Sequence, residues 1–383
     1  MRVVGYAFPW DVTAPGFLDR VAEAGVTEVA VATAYHSVRA ATPWSDTGTA
    51  VLARHAALYR PLRPERWPGD LRPGVPDWAG SADPAGDAVR LLGRAGVPAA
   101  AWTVLTHDSR LGTEHPELSV RNCFGERYPW ALCPAQPRVR EHAATLAAES
   151  VSGLDVGSVV LEACGQLGAL HQCHHEKTDA TWSPAAARLL SICFCDACEA
   201  GLEDAAGVRA AVRDAARRLL ASGDLTATAD GLDERIRTRV LAARHRATDV
   251  LRARVLDALP GGLRTALHAA SDPWATGALP GVTERTGPDV GTVVVPAWQP
   301  ETSVEAVRAA RTLLPSGTVI GAYLTTVAPA AEPGVASRVA ALHDAGADEL
   351  HLYHLGLAGP ARWAQLLAAT GAASAVRKGL STP

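Results

Sequence analysis

Glu23-Ala24-Gly25-Val26 followed by Glu28-Val29-Ala30-Val31-Ala32, Arg94-Ala95-Gly96-Val97 followed by Ala99-Ala100-Ala101-Trp102, and Asp344-Ala345-Gly346-Ala347 followed by Glu349-Leu350-His351-Leu352 are three copies of one unit. In each, glycine closes a helix, because a residue without a Cβ enters the left-handed C-cap conformation at little cost, and a short apolar strand follows. Beyond these copies, apolar runs bounded by turn residues mark eight strands near 2–8, 28–35, 98–106, 156–162, 263–270, 292–298, 318–325 and 349–355. Near-continuous apolar runs suit parallel strands buried on both faces, and their alternation with helices gives an α/β fold. Eight such units predict a (β/α)8 TIM barrel. The alternative is a doubly wound open sheet, but the first strand is followed by Phe8-Pro9-Trp10-Asp11 and not by a glycine-rich phosphate turn.

Such barrels often run long as one domain, so residues 1–383 are expected to form a single barrel domain. Residues 37–82, rich in proline, tryptophan and arginine, are expected to form an extended loop after strand 2, and residues 164–200 a cysteine-rich loop after strand 4. Between 230 and 258, Leu232, Ile236, Val240, Val250, Leu251 and Val255 recur at helical spacing, which predicts one long amphipathic helix. The arginines between them read as a solvated face or as a homo-oligomer contact.

A net charge of −4 without any basic run argues against nucleic acid or an anionic membrane as partner, and for a neutral or small substrate. Met1-Arg2-Val3-Val4-Gly5-Tyr6 reads as a first strand and not as a secretion signal, and no window of eighteen apolar residues is free of charge and turn residues. A soluble, cytoplasmic protein is expected. Seven cysteines, five of them between 164 and 198, fit reduced thiols and a metal better than disulfides.

Cys193-Phe194-Cys195-Asp196-Ala197-Cys198 places three thiols at C-x-C-x-x-C spacing, and a fourth would complete the tetrahedral sulfur shell that zinc prefers. Cys133 is one candidate for the fourth ligand; Cys164, Cys173, His174 and His175 compete with it. Four thiolates would leave no open coordination position, so this zinc reads as structural, stapling the loop after strand 4.

In a barrel of this kind the chemistry sits at the C-terminal ends of the strands. Those positions hold Asp11 after strand 1, Tyr35 and His36 after strand 2, Asp108 after strand 3, Glu162 ending strand 4, and Asp272 after strand 5. Trp298 and Glu301 follow strand 6, Tyr323 lies in strand 7, and Tyr353 and His354 end strand 8. Glu162 stands out, because a carboxylate closing the apolar run Val156–Leu161 is costly unless paired or held protonated for use. Desolvation is expected to raise its pKa toward neutrality, as a general acid requires. Trp10, Trp102 and Trp298 offer flat apolar faces for sugar rings or for core packing, and His268 reads as a mid-strand residue of either core or site.

Trp130-Ala131-Leu132-Cys133-Pro134-Ala135-Gln136-Pro137-Arg138-Val139-Arg140-Glu141-His142, then a strand ending in Glu162, then the C-x-C-x-x-C turn, resembles the central part of the family 42 β-galactosidases and related glycosidase-like barrels. The resemblance covers roughly residues 130–200. It implies zinc ligation by Cys133, Cys193, Cys195 and Cys198, an acid/base role for Glu162, a carbohydrate substrate, and an oligomer. There are two departures. Leu161 stands where that family has asparagine, and Gly321-Ala322-Tyr323-Leu324-Thr325-Thr326 lacks the glutamate that serves the family as nucleophile on strand 7.

Three functions follow as expectations. The first is a glycoside hydrolase whose second carboxylate is Asp272, Glu301 or Asp108. The second is a barrel that binds carbohydrate without hydrolysing it. The third is a metal-dependent sugar isomerase, epimerase or hydrolase with an ion held by His36, Asp108, Glu162, His268 or His354.

Overall fold

The computed structural model describes residues 1–67, 69–170, 177–178, 181–327 and 334–379. Eight parallel strands close into a barrel: β1 (Arg2–Ala7), β2 (Glu28–Tyr35), β3 (Ala99–Val104), β4 (Ser158–Glu162), β5 (Arg264–His268), β6 (Thr292–Pro296), β7 (Val319–Thr325) and β8 (Glu349–Tyr353). Each strand pairs with its sequence neighbours, and closure comes from β1 against β8, with Val3 opposite Leu350 and Gly5 opposite Leu352. The protein is therefore an α/β TIM barrel, as the repeat predicts. Gly25, Gly96 and Gly346 all adopt positive φ (60°, 70° and 108°), the left-handed C-caps on which that reading rested.

The main helices are α1 (Phe17–Glu23), α2 (Pro84–Arg94), α3 (Pro137–Val151), α4 (Ala205–Ser222), α5 (Glu234–Ala258), α6 (Pro300–Leu313), α7 (Val335–Asp344) and α8 (Pro360–Arg377). The predicted long helix is α5, with one correction to its faces. Arg244 and Arg252 are buried and Val250 is exposed. Burial of Arg252 is tolerated because its guanidinium donates to Asp289, Asp249 and Thr283; that of Arg244 because it donates to the Ser191 carbonyl and lies over the Trp274 ring.

The expected excursion after β2 carries an antiparallel hairpin, Val38–Ala41 with Ala50–Ala53. Residues 57 and 58 then add an antiparallel edge to the end of β2. After β4 the cysteine-rich loop packs through Phe194, Ile192 and Leu189 on Val208 and Val212 of α4, forming a satellite apolar cluster outside the barrel. His171, Cys173, His174 and His175 lie outside the described residues.

The interior of the barrel is partly polar. Glu28, Ser158, Arg264 and Glu349, each the first residue of its strand, form the floor. Arg264 donates to Glu349 at 3.0 Å and to Glu28 at 3.2 Å, and Ser158 Oγ donates to Glu28 at 2.6 Å. Side chains two apart on a strand share a face, so Glu349, His351 and Tyr353 rise along one wall of the interior. Gly321 on β7 makes room for this column, because a Cβ there would lie 2.7 Å from His351 Cδ2.

Candidate active site

Glu162, the last residue of β4, is 5 % exposed at the C-terminal end of the barrel. The Trp102 indole N–H donates to its Oε2 at 2.8 Å, and His268 Nδ1 stands 3.3 Å from the same oxygen without hydrogen-bond geometry. His268 ends β5 rather than sitting mid-strand, and this brings its ring to the carboxylate.

Aromatic rings enclose the carboxylate. Trp102 packs edge-on against Tyr6 (4.9 Å) and Tyr35 (4.7 Å), and Tyr323 packs on His268 (4.6 Å). Trp298, 38 % exposed, covers Tyr353 at 5.2 Å and Tyr323 at 5.7 Å from the rim. Burial raises the phenols of Tyr6, Tyr35 and Tyr323 well above their ordinary range and pushes Tyr353 up to about 12. The negative charge of Glu162 adds to the rise at each of the four. All four therefore remain protonated at neutral pH, and the field of one carboxylate reaches all of them.

The remaining predicted contacts extend this wall. His354 is fully buried against Phe8 (4.5 Å), and burial lowers its imidazole to about 3. Its Nδ1 accepts from Gly356 N and lies 3.7 Å from Asp11 Oδ2. Asp11, also buried, accepts from Phe8 N, yet burial raises its carboxyl to about 7. Trp10 stacks on Phe8 at 4.6 Å, and His36 stacks on Tyr35 at 4.2 Å and on His107 at 4.4 Å. The expected binding residues are thus contiguous. A cleft of about 510 Å³ lies beside them, lined by Trp10, Asp11, Arg20, Trp44, Asp46 and Gly356 but not by Glu162.

Of the three candidates for a second carboxylate, Asp108 borders this group, lining a small cavity with Tyr35 and His107. Asp272 has a half-exposed side chain, accepts from Trp274 N and stands 3.9 Å from Arg188. Glu301 is exposed in the first turn of α6, which Pro300 starts early. Asp108 is buried, with its carboxyl raised to about 6 by burial, but it caps the short helix Ser109–Glu114 by accepting from Leu111 N. Among the described residues, none of the three forms an ion pair or hydrogen bond with Glu162.

Cys133, Cys193, Cys195 and Cys198 converge, with all four sulfurs within 4.8 Å of one another. Cys133 Sγ is 3.5 Å from Cys198 Sγ and 3.7 Å from Cys195 Sγ. A disulfide would need roughly 2 Å, whereas sulfurs about 2.3 Å from a tetrahedral zinc lie roughly 3.8 Å apart. The backbone N–H groups of Arg121 and Cys195 point at Cys193 Sγ, and the Gln136 amide donates to Cys195 Sγ, each at 3.4 Å. Such donors are the outer partners that metal-bound thiolates require. The cluster suits a structural metal that ties the segment before α3 to the loop after β4. Of the competing ligands, Cys164 is buried outside this group.

The sequence reading omitted Tyr6, His351 and Glu349 and saw Trp102 only as a flat ring. Tyr6 Oη lies 2.8 Å from His268 Nε2 and 2.9 Å from His351 Nδ1, and His351 Nε2 lies 3.1 Å from Glu349 Oε2. The available signal was the alternation Glu349-x-His351-x-Tyr353 in an otherwise apolar strand.

No protein-family profile and no curated protein sequence matches the chain. Among solved structures it resembles α-L-fucosidase isoenzyme 2 from Paenibacillus thiaminolyticus (TM-score 0.55, 12 % identity), with 99 % of this chain aligned to 49 % of that one. It also resembles the PgaB (BpsB) glycoside hydrolase domain from Bordetella bronchiseptica (TM-score 0.56, 15 % identity, 96 % of this chain and 98 % of that one). A third is the β-galactosidase from the psychrophilic Marinomonas ef1 (TM-score 0.53, 12 % identity, 100 % of this chain and 61 % of that one). The chain thus spans about half the length of the fucosidase. At these identities the likeness is one of fold.

Proposed function

We propose that this protein is a glycoside hydrolase-like barrel acting on a neutral carbohydrate, with Glu162 as general acid/base. The buried carboxylate at the C-terminal mouth, which accepts from the Trp102 N–H, lies beside His268 and is walled by the tyrosine rings packed on those two residues, carries the reading. Glycoside cleavage needs a carboxyl group that gives a proton to the leaving oxygen and, in most families, a second carboxylate that attacks or activates water. Trp298 at the rim and Tyr353 beneath it supply faces for a sugar ring, and their phenol and indole donors suit hydroxyl groups.

For the second carboxylate Asp11, buried beside His354 in the wall around the mouth, joins Asp272, Glu301 and Asp108. The pair would divide the work by environment, one acid exchanging protons and the other stabilising charge. The metal in the four-cysteine site we assign as zinc. Its closed shell gives it the task of holding the loop that frames the mouth, with no step of the reaction passing through it.

A second reading, binding without hydrolysis, is favoured by β7, where Tyr323 and Thr325 occupy the strand that carries the nucleophile in the family resembled. The metal-dependent reading has less support. Among the described residues the cysteines are the one group of three or more His, Cys, Asp or Glu whose ligand atoms come together, and His36, Asp108, Glu162, His268 and His354 do not. Assaying a panel of neutral glycosides for released reducing sugar, with calorimetry on the same panel, separates the first two. Product release supports hydrolysis; binding heat with no product in any case supports the degenerate barrel.

A further inference from the structure

A cavity of about 180 Å³ opens where α5 packs on the cysteine turn, and none of the residues placed around Glu162 lines it. Ile192, Leu202, Val240, Ala243, Ala247 and Val250 make its walls apolar. An apolar cavity of about 150 Å³ holds a benzene ring, so this one has room for a ring with small substituents. Its charged residues are all cations: Arg140 of α3 and Arg244 and Arg246 of α5 line it, and no aspartate or glutamate does.

Among the described residues, none of these three arginines pairs with a carboxylate. Arg140 donates to the Pro134 carbonyl, Arg244 to those of Ser191 and Trp274, and Arg246 to that of Gly201. Backbone carbonyls satisfy hydrogens but leave the net charge in place. The acids of the turn, Asp196 and Glu199, are taken by Arg121 and Arg209. Burial lowers Arg244 to about 10, against the thiolates of Cys198, Cys193 and Cys133, so it stays charged at neutral pH. With zinc in the four-cysteine site, four thiolates and one divalent ion leave two negative charges, one fewer than the three guanidiniums bring. Gln166 also lines the cavity. Its side chain is buried, and neither its Nε2 nor its Oε1 has a hydrogen-bond partner. An amide buried in that state is costly and calls for a group that both gives and accepts a hydrogen.

We propose that this cavity binds a small amphipathic monoanion, a hydroxylated aromatic carboxylate, with its ring between the apolar walls, its carboxylate toward the arginines and its hydroxyl on the Gln166 amide. A hydroxyl suits that amide because it donates to Oε1 and accepts from Nε2. Gln166 is buried whereas Arg246 is exposed, so the two polar groups of the ligand belong at opposite ends of the ring, one deep and one at the rim. Cys193 and Cys198 line the same cavity, so the metal staple shapes this site as well as the loop. The site stands whether or not the barrel cleaves glycosides.

Isothermal calorimetry on the full-length, metal-loaded protein at neutral pH tests this with para-hydroxybenzoate, benzoate, phenol and inorganic phosphate. Para-hydroxybenzoate is expected to bind once per chain, with benzoate and phenol each weaker by about tenfold or more, since each lacks one of the two polar groups. Gln166→Leu removes the partner of the hydroxyl and should abolish the preference for para-hydroxybenzoate over benzoate. Arg246→Gln should narrow the preference over phenol. Ala243→Phe fills the cavity and should abolish binding of all three. No saturable heat from para-hydroxybenzoate at about millimolar concentration would overturn the proposal, as would phenol binding equally well. Displacement of para-hydroxybenzoate by an equal concentration of phosphate would reduce the site to surface arginines and overturn it too, as would unchanged binding to Ala243→Phe. The wild-type series decides even where a variant does not fold. It needs no turnover, so absence of hydrolysis would count against the proposed function alone.

Discussion

The Trp102 indole N–H donates to Glu162 Oε2 at 2.8 Å, joining β3 to β4 inside the barrel mouth. A hydrogen bond to a charged or charge-sharing group contributes about 1.5–3 kcal/mol. Trp102→Phe keeps an aromatic ring but removes the donor and part of the volume. Its unfolding free energy should fall by about 2–4 kcal/mol in denaturant titration. Turnover should fall more than substrate affinity, because the carboxylate loses its fixed position.

Asp11 gives a pH dependence with a definite sign. Its carboxyl rises from an ordinary 3.8 to about 7 in the folded chain, mainly through burial. Between those values the folded protein keeps a proton that the unfolded chain has lost, so this residue's contribution to stability declines as pH rises through that window and reaches its floor above it. Asp11→Asn retains an acceptor for Phe8 N and carries no charge. It should raise the melting temperature relative to wild type at pH 8, by a gain of about 2–4 kcal/mol, and have little effect near pH 4. Equal effects at both pH values would contradict the burial of this acid.

Gly321 faces the axial column. A methyl group there meets His351 at 2.7 Å from Cδ2 and 2.8 Å from Nε2, so Gly321→Ala must displace the ring that joins Tyr6 to Glu349. Overpacking of this kind costs about 1–3 kcal/mol. The His351 ring signals should move in NMR spectra while the strand content measured by circular dichroism stays constant.

The four-cysteine site predicts one tightly held zinc per chain. Chelation or Cys195→Ser should release it and lower the melting temperature, with the loss concentrated in the loop after β4. The barrel should survive, because that loop also has its own apolar cluster of Phe194, Ile192 and Val212. Metal content by mass spectrometry and protease sensitivity around residues 184–200 check this. Full metal retention with unchanged melting would contradict the ligand set.

The barrel was legible because its signals are local. Glycine C-caps and apolar runs of strand length are properties of a few consecutive residues, and all eight strands lie within the spans read from them. The C-x-C-x-x-C turn is equally local; its fourth sulfur came only through resemblance, since Cys133 is 65 residues from Cys198. The contacts that run from His268 through Tyr6 and His351 to Glu349 were not legible, because Tyr6 meets partners 262 and 345 residues away, and the contacts depend on which strand faces which across the interior. The second carboxylate was not legible for a different reason. Asp108, Asp272 and Glu301 lie on loops or helix starts, where backbone direction turns a side chain toward a cap, an arginine or solvent, and nothing in strand periodicity fixes that choice.

The most direct test of the acid/base role is the turnover of Glu162→Gln against wild type on a glycoside that wild type cleaves. The isosteric amide preserves an acceptor for Trp102 but cannot exchange a proton at neutral pH, so the rate should fall by about 10²–10⁴ while the melting temperature changes little. A variant that turns over at the wild-type rate would show that Glu162 is a buried structural acid and that the chemistry lies elsewhere.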